Sequence, residues 1–298
     1  MNVRTEGLVP ILGITLLLSG CAAVTQLGTT VGVATGRISE EQKQALDKSS
    51  EKASEKITPE QEYYIGRSVA ATILTTYKPF DQEATTRYLN VIGQTLAQAS
   101  AKPETFGGYH FSILDSDEIN AFAAPGGLIV VSRGLIRCCR NEDALAAVLA
   151  HEVGHVEKEH GLNAIEKGRK TAFMTTLAVT AGKSYGGADL AQLTQAFEGT
   201  ISDITNMMVN SGYSRQSEFE ADAAAVRILR SVGYNPEGLV DMLDQMQKKL
   251  QPGSHGFGAT HPAPKDRINA VRKIIGATTA IAEPAARKQR FMAAIANI

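Results

Sequence analysis

The run His151-Glu152-Val153-Gly154-His155 sets two imidazoles four residues apart with a carboxylate between them. On a helix, positions i and i+4 share one face, close enough for both rings to bind a single Zn²⁺ at about 2.0–2.1 Å. Zinc lowers the pKa of water it binds towards about 7, and a carboxylate at Glu152 stands where it can take that proton as the water attacks a peptide carbonyl. Type and spacing together specify metal-assisted hydrolysis with Glu152 as general base. Two surface histidines on an amphipathic helix would explain neither the glutamate nor the buried-type run Leu145 to Ala150 that precedes it.

A catalytic zinc takes three protein ligands and keeps one position open. Downstream donors are Glu218, Glu220, Asp222, His255 and His261. Read as a helix, Ser214 to Asp222 puts Glu218 and Asp222 on one side and rotates Glu220 well away. Glu218 is therefore the expected third ligand. Asp222, one turn on, is placed to accept the free N–H of a zinc-bound histidine and fix its tautomer. Alone, this segment would read as a charged face paired with Arg215 and Arg227.

These side chains need elements to hold them. Asn141 can cap a helix running from Glu142 towards His160, with its Ala, Leu and Val positions forming one apolar face. Upstream, Thr58-Pro59-Glu60-Gln61 is a helix start, and Tyr64, Val69 and Ile73, then Leu89, Ile92 and Leu96, recur at helical spacing. Alternation at Tyr109 to Leu114 and the run Leu128 to Ser132 after Pro125-Gly126-Gly127 predict a small antiparallel sheet. Substrate contact is expected along an exposed edge of that sheet at Asn120, Ala121, Phe122 and Ala123, where an extended peptide can add as a strand. Asn120 read simply as a turn residue is an equal alternative.

His151 to His155, then Ser214-Arg215 with Glu218 and Ala221-Asp222, then His261-Pro262 followed by Arg267, resembles the HtpX and CAAX-prenyl-protease (Ste-type) family of gluzincin metallopeptidases. Asn120 to Ala123 with Pro125-Gly126-Gly127 fits the same pattern. The similarity covers roughly Thr58 to Ile275 and is nearest to the soluble periplasmic lipoprotein (BepA/LoiP-like) branch. It implies an α+β, mainly helical minigluzincin-type domain with one Zn²⁺ per chain held between two helices. It also implies endopeptidase activity on unfolded or misassembled envelope proteins. The sequence departs from the family in lacking the transmembrane helices of the HtpX branch, and no 34-residue TPR-like repeat follows the domain.

His261 ends a segment, Gln251 to Thr260, that contains three glycines and a proline and has neither helical nor strand period. The resemblance places His261-Pro262 near the metal. There it could stabilise the tetrahedral oxyanion, or occupy zinc's open position as an inhibitory fourth ligand, or merely cap the helix from Ala263 to Ile275.

The N-terminus reads as a secretory leader over residues 1–20, with an apolar run Leu8 to Leu18 ending in Leu18-Ser19-Gly20-Cys21. That ending resembles a bacterial lipobox, which implies a diacylglyceryl lipid on Cys21, and Ala22 after it points to the periplasmic face of the outer membrane. Residues 21–57 read as a tether with one short helix at Ser39 to Glu55, residues 58–275 as the metallopeptidase domain, and residues 276–298 as a helical tail. Thr171 to Gly182 is too short to span a membrane and reads as a packed helix. Cys138 and Cys139 are adjacent, which disfavours a disulfide between them, and read as small buried hydrophobes. Thirty basic against 31 acidic residues leave a net charge of −1 with no basic stripe, which excludes nucleic acid as a partner. A non-proteolytic chaperone or scaffold on this fold, or a metal-storage module, would need a reason to keep the general base and an open coordination position. The natural substrate and the oligomeric state are not legible.

Overall fold

Helix starts follow from local chemistry. Ser39 caps α1 (Glu40–Ser54) and Thr58 caps α2 (Pro59–Thr76), and in both Gln three residues on, Gln42 or Gln61, bonds back to the cap N–H. The computed structural model describes residues 29–31, 33, 34, 36, 39–182, 205, 206, 208, 211–249, 260, 261, 264–277 and 282–298. The leader, Cys21, His255 and Pro262 lie outside the described residues. The chain divides into two compact units, Met1–Glu55 with Arg169–Phe197 and Lys56–Gly168 with Glu198–Ile298. Apart from Cys21, every candidate site residue belongs to the second.

In that unit, α3 (Glu83–Gln98) precedes three strands, β1 (His110–Leu114), β2 (Ala121–Ala124) and β3 (Leu128–Ser132). The sheet is mixed, in the order β1-β3-β2, and so departs from the antiparallel expectation. The Pro125–Gly127 turn folds β2 back antiparallel onto β3, while β1 lies parallel to β3 with His110 opposite Leu128. The hairpin partner of β3 is thus Ala121–Ala124, and the chain passes from β1 across the end of β3 to reach it. Gly126 has φ +78°, a left-handed conformation that suits glycine, and its N–H donates to Glu62 at 3.0 Å.

Both faces of the sheet are covered. Phe111, Ile113, Ala121, Ala123, Ile129 and Val131 join one core, while Leu114, Phe122, Ala124 and Val130 join another with Val69 and Ile73 of α2. Tyr64, assigned with Val69 and Ile73 to an apolar stripe, is exposed instead, and the buried face of α2 runs through Glu62, Gly66, Val69 and Ile73.

After a single turn, α4 (Arg133–Ile136), the chain enters α5 (Glu142–Glu157), capped by the Asn141 side chain. The expected single apolar face gives way to a helix buried on every side from Glu142 to Val156. Its alanines allow neighbours to approach all round, as a core helix requires. The chain then reverses into α6 (His160–Gly182), whose backbone accounts for the Thr171 to Gly182 segment, and continues through α7 (Arg215–Ser231), α8 (Glu237–Lys249), α9 (Pro264–Ile275) and α10 (Ala285–Ile295). The last of these, in the expected tail, buries Phe291 in the main core. Among the described residues no helix is long and apolar enough to cross a membrane. Cys138 and Cys139 are buried free thiols, and burial raises the pKa of both.

Candidate active site

The site forms where α5 lies against α7. A Cβ on Gly154 would stand 2.8 Å from the Ala221 carbonyl oxygen, so only glycine permits this approach. One turn apart on α5, Nε2 of His151 and Nε2 of His155 face each other at 3.1 Å. Glu218 sits opposite, its Oε1 3.4 Å from His155 Nε2 and its Oε2 3.6 Å from His151 Nε2. Ligands bound tetrahedrally at zinc–nitrogen and zinc–oxygen lengths stand roughly 3.3 Å apart, so these three separations fit one small divalent ion. Glu218 is wholly buried, yet among the described residues neither of its oxygens has an aligned hydrogen-bond donor. The Arg267 guanidinium faces it from the Oε2 side at 2.9 Å, and Oε1 is left towards the imidazole nitrogens, open to a further cation. The donor set and its geometry thus suit a metal.

Charge around the pocket is arranged by one guanidinium. Arg267 of α9 is 1% exposed and grips Asp222 with Nε at 2.8 Å and Nη2 at 2.6 Å, while Nη1 lies 2.9 Å from Glu218 Oε2. Asp222 in turn stands 3.0 Å from His151 Nδ1, the ring nitrogen turned away from the pocket. Burial would raise the Asp222 carboxyl, but Arg267 and His151 hold it down at about 2. Burial likewise opposes ionisation of Glu218, and the facing His261 and Arg267 keep it well below the usual carboxylate range. The imidazoles diverge. Burial pushes His155 down to about 4, whereas at His151 the neighbouring Asp222 and Glu218 outweigh burial and the Arg267 charge, raising it to about 9. Glu152, 1% exposed on the same helix, is pushed up to about 7 by burial.

His261 enters the same pocket. Its ring lies 5.3 Å from that of His151 and 5.6 Å from that of His155, and its Nε2 is 3.7 Å from Glu152 Oε1. One ligand atom from each of His151, His155, Glu218 and His261 falls within 4.8 Å of the others. Glu220 is turned out of this group and is half-exposed. Ala121 to Ala123 lie on the edge strand β2 and Asn120 just precedes it, donating from N–H to Ser132 Oγ at 3.0 Å, but all four residues are buried, backbone included, so the edge expected to be exposed is covered in this structure.

Three residues of the site went unassigned in the sequence. Arg267 was visible only as part of a family pattern, since nothing in spacing shows that a helix 45 residues beyond Asp222 returns to it. Tyr213 stacks on His155 with ring centroids 4.3 Å apart, and Nδ1 of His160 meets Nδ1 of that histidine at 2.8 Å. For His160 the signal was present, a third histidine five residues after the second.

The family model for Peptidase family M48 matches residues 83–275, more than half of the chain. The beta-barrel assembly-enhancing protease of Escherichia coli K12 is 31% identical over 187 residues, covering 61% of this chain and 37% of that protein. Metalloprotease LoiP of the same organism is 29% identical over 163 residues, 55% of this chain and 61% of its own length. The mitochondrial metalloendopeptidase OMA1 of Schizosaccharomyces pombe is 28% identical over 162 residues, 52% and 43% of the two chains. This chain therefore spans between about a third and two thirds of these relatives. Because the matched region runs without a break from α3 to α9 and takes in both histidines, Glu218, Asp222 and Arg267, the chain belongs to peptidase family M48.

Proposed function

We propose that the protein is a zinc-dependent endopeptidase that cleaves unfolded or misassembled cell-envelope proteins. The observation that carries this reading is the convergence of two facing imidazole nitrogens and a buried carboxylate without aligned donors, with Glu152 beside them. His151, His155 and Glu218 would hold the ion. When bound, Zn²⁺ supplies Lewis acidity towards water and a scissile carbonyl oxygen. Glu152 takes a proton from the attacking water and returns it to the leaving amine, a shuttle suited to a carboxyl that titrates near neutrality. Asp222 accepts from His151 Nδ1 and fixes that ring, while Arg267 keeps Asp222 and Glu218 ionised.

The substrate backbone is read as adding along Asn120, Ala121, Phe122 and Ala123, supported by the place of β2 at the sheet edge, and because these residues are buried the cover over that edge must move aside first. Relatives named for β-barrel assembly support envelope substrates. The Leu-Ser-Gly-Cys ending supports a lipid on Cys21 that holds the protein at the periplasmic face of the outer membrane. His261 is read as an inhibitory fourth ligand, supported by its place within the four-residue donor group. His261→Ala should then raise proteolysis with zinc still bound, whereas a loss of turnover would assign it to the oxyanion. The function as a whole is tested by casein hydrolysis: a chelator should abolish it and added zinc restore it. Hydrolysis that survives complete metal removal would end the reading.

A further inference from the structure

Each of the two facing imidazoles has a second ring nitrogen, and the two are backed differently. His151 Nδ1 meets the buried Asp222 directly. His155 Nδ1 meets instead Nδ1 of His160, at 2.8 Å. His160 is 5% exposed, and its Nε2 lies 3.2 Å from Glu220 Oε2, while Gln216 Nε2 donates to Glu220 Oε1 at 2.8 Å. The chain reaches this arrangement through Glu159, whose φ of +54° makes it the one described non-glycine residue in the left-handed region. That conformation is costly for a glutamate and marks a turn held by its surroundings. Lys102 Nζ supplies part of the hold, at 2.9 Å from Glu159 Oε1.

Proton placement follows from the chemistry of imidazole. If Nε2 of His155 gives its lone pair to a metal, the neutral ring carries its proton on Nδ1. Two Nδ1 atoms at 2.8 Å need one donor and one acceptor, so His160 accepts there and carries its own proton on Nε2. That proton points to Glu220, a carboxylate whose pKa is lowered by its bonds to Gln216 and His160. All three contacts are satisfied by a single set of tautomers.

We infer that His160 and Glu220 are positioning residues, a two-step backing that fixes the ring and tautomer of His155 for zinc as Asp222 does for His151. The inference rests on the reading of His151, His155 and Glu218 as zinc ligands. Outer-shell partners of this kind are worth about 10–100-fold in metal affinity. The test is zinc affinity, measured on the full chain by competition with a chelating dye, with circular dichroism and the Tm of metal-stripped protein as folding controls. His160→Ala should weaken zinc binding by about 10–100-fold. His160→Gln, whose amide oxygen can accept from Nδ1–H and whose N–H can reach Glu220, should recover part of that loss. Glu220→Ala should weaken binding by less, and should add nothing in the His160→Ala background. Equal affinity of His160→Ala and wild type overturns the inference, as does an equal loss in His160→Ala and His160→Gln, which would leave only packing. Should His160→Ala fail to fold, Glu220→Ala decides alone, and unchanged affinity there is the overturning result. A wild-type chain that binds no zinc would instead overturn the ligand assignment, a separate outcome.

Discussion

At its first turn α5 buries Glu142, which accepts from Tyr88 Oη at 2.7 Å, Tyr234 Oη at 2.8 Å and Arg290 Nε at 2.6 Å. Further along the same helix it buries Glu152, and α7 sets Glu218 opposite, yet the Glu218 oxygens and Glu152 Oε1 have no aligned donor among the described residues. Glu142 also lies at the positive end of the helix dipole, where a carboxylate is stabilising. Burial is nearly the same at both places; what differs is whether the lone pairs are filled. A filled acceptor set ties elements together, here α5 to α3 and α10, and has nothing left to offer a ligand. An open set costs stability and is maintained only where something else completes it.

The comparison is sharpest at Glu152. Glu152→Gln keeps size and burial but removes the proton acceptor, so turnover should fall on the order of 10²-fold or more while zinc content stays near normal. Retained turnover, measured on a fluorogenic peptide, would show that the open oxygen serves something other than catalysis. Glu218→Ala should instead weaken zinc binding by more than about 100-fold, beyond the 10–100-fold typical of outer-shell changes. In chelator, the same variant should lose less stability than Glu142→Ala, because Arg267, which pairs with Glu218 at 2.9 Å, keeps its two bonds to Asp222. A large drop in Tm without metal would place Glu218 with Glu142 among the structural acids.

Glu142→Ala is the converse. It strands the buried Tyr234 hydroxyl and the half-buried Tyr88 hydroxyl, although Arg290, with its side chain 53% exposed, can turn to water. The expected cost is about 2–3 kcal/mol of stability, with turnover per folded molecule unchanged. Chemical denaturation alongside activity would check both halves, and a catalytic defect at full stability would contradict the division drawn here.

How much of this was legible in the sequence differs between the two ends of α5. The metal end announces itself through residue types that have few other uses at that spacing, and Glu218 and Asp222 follow from one helical register. The closeness of α5 and α7 was written in Gly154, but a glycine inside a helix has many readings until the neighbouring Ala221 carbonyl is seen 2.8 Å from where its Cβ would be. Glu142 looked like an ordinary first-turn acid beside Asn141. Its partners lie 54, 92 and 148 residues away in the chain, and no local period links such distances. The mixed sheet was missed for a similar reason: strand direction depends on which strand the chain passes over, and alternation within a strand carries no record of that.

The smallest expected effect concerns acid. Burial would raise the Glu142 carboxyl, but hydrogen bonds from Arg290, Tyr88 and Tyr234 outweigh it and hold the pKa below its ordinary value. A group whose pKa is lower folded than unfolded stabilises the fold above its unfolded pKa of about 4.3, and this contribution is lost as pH falls through the folded value. Glu142→Gln lacks that titration while keeping an acceptor for the tyrosines. The stability gap between wild type and Glu142→Gln should therefore be constant from pH 7 to about 5 and narrow steadily below about 4. Glu157, also held low by Arg227 and the Ala101 N–H against its burial, titrates in both proteins and cancels in the difference. A gap that stays constant to pH 3 would mean that the Glu142 hydrogen bonds do not favour its charged form, and that the filled acceptor set at the start of α5 holds α10 through packing around Phe291 alone.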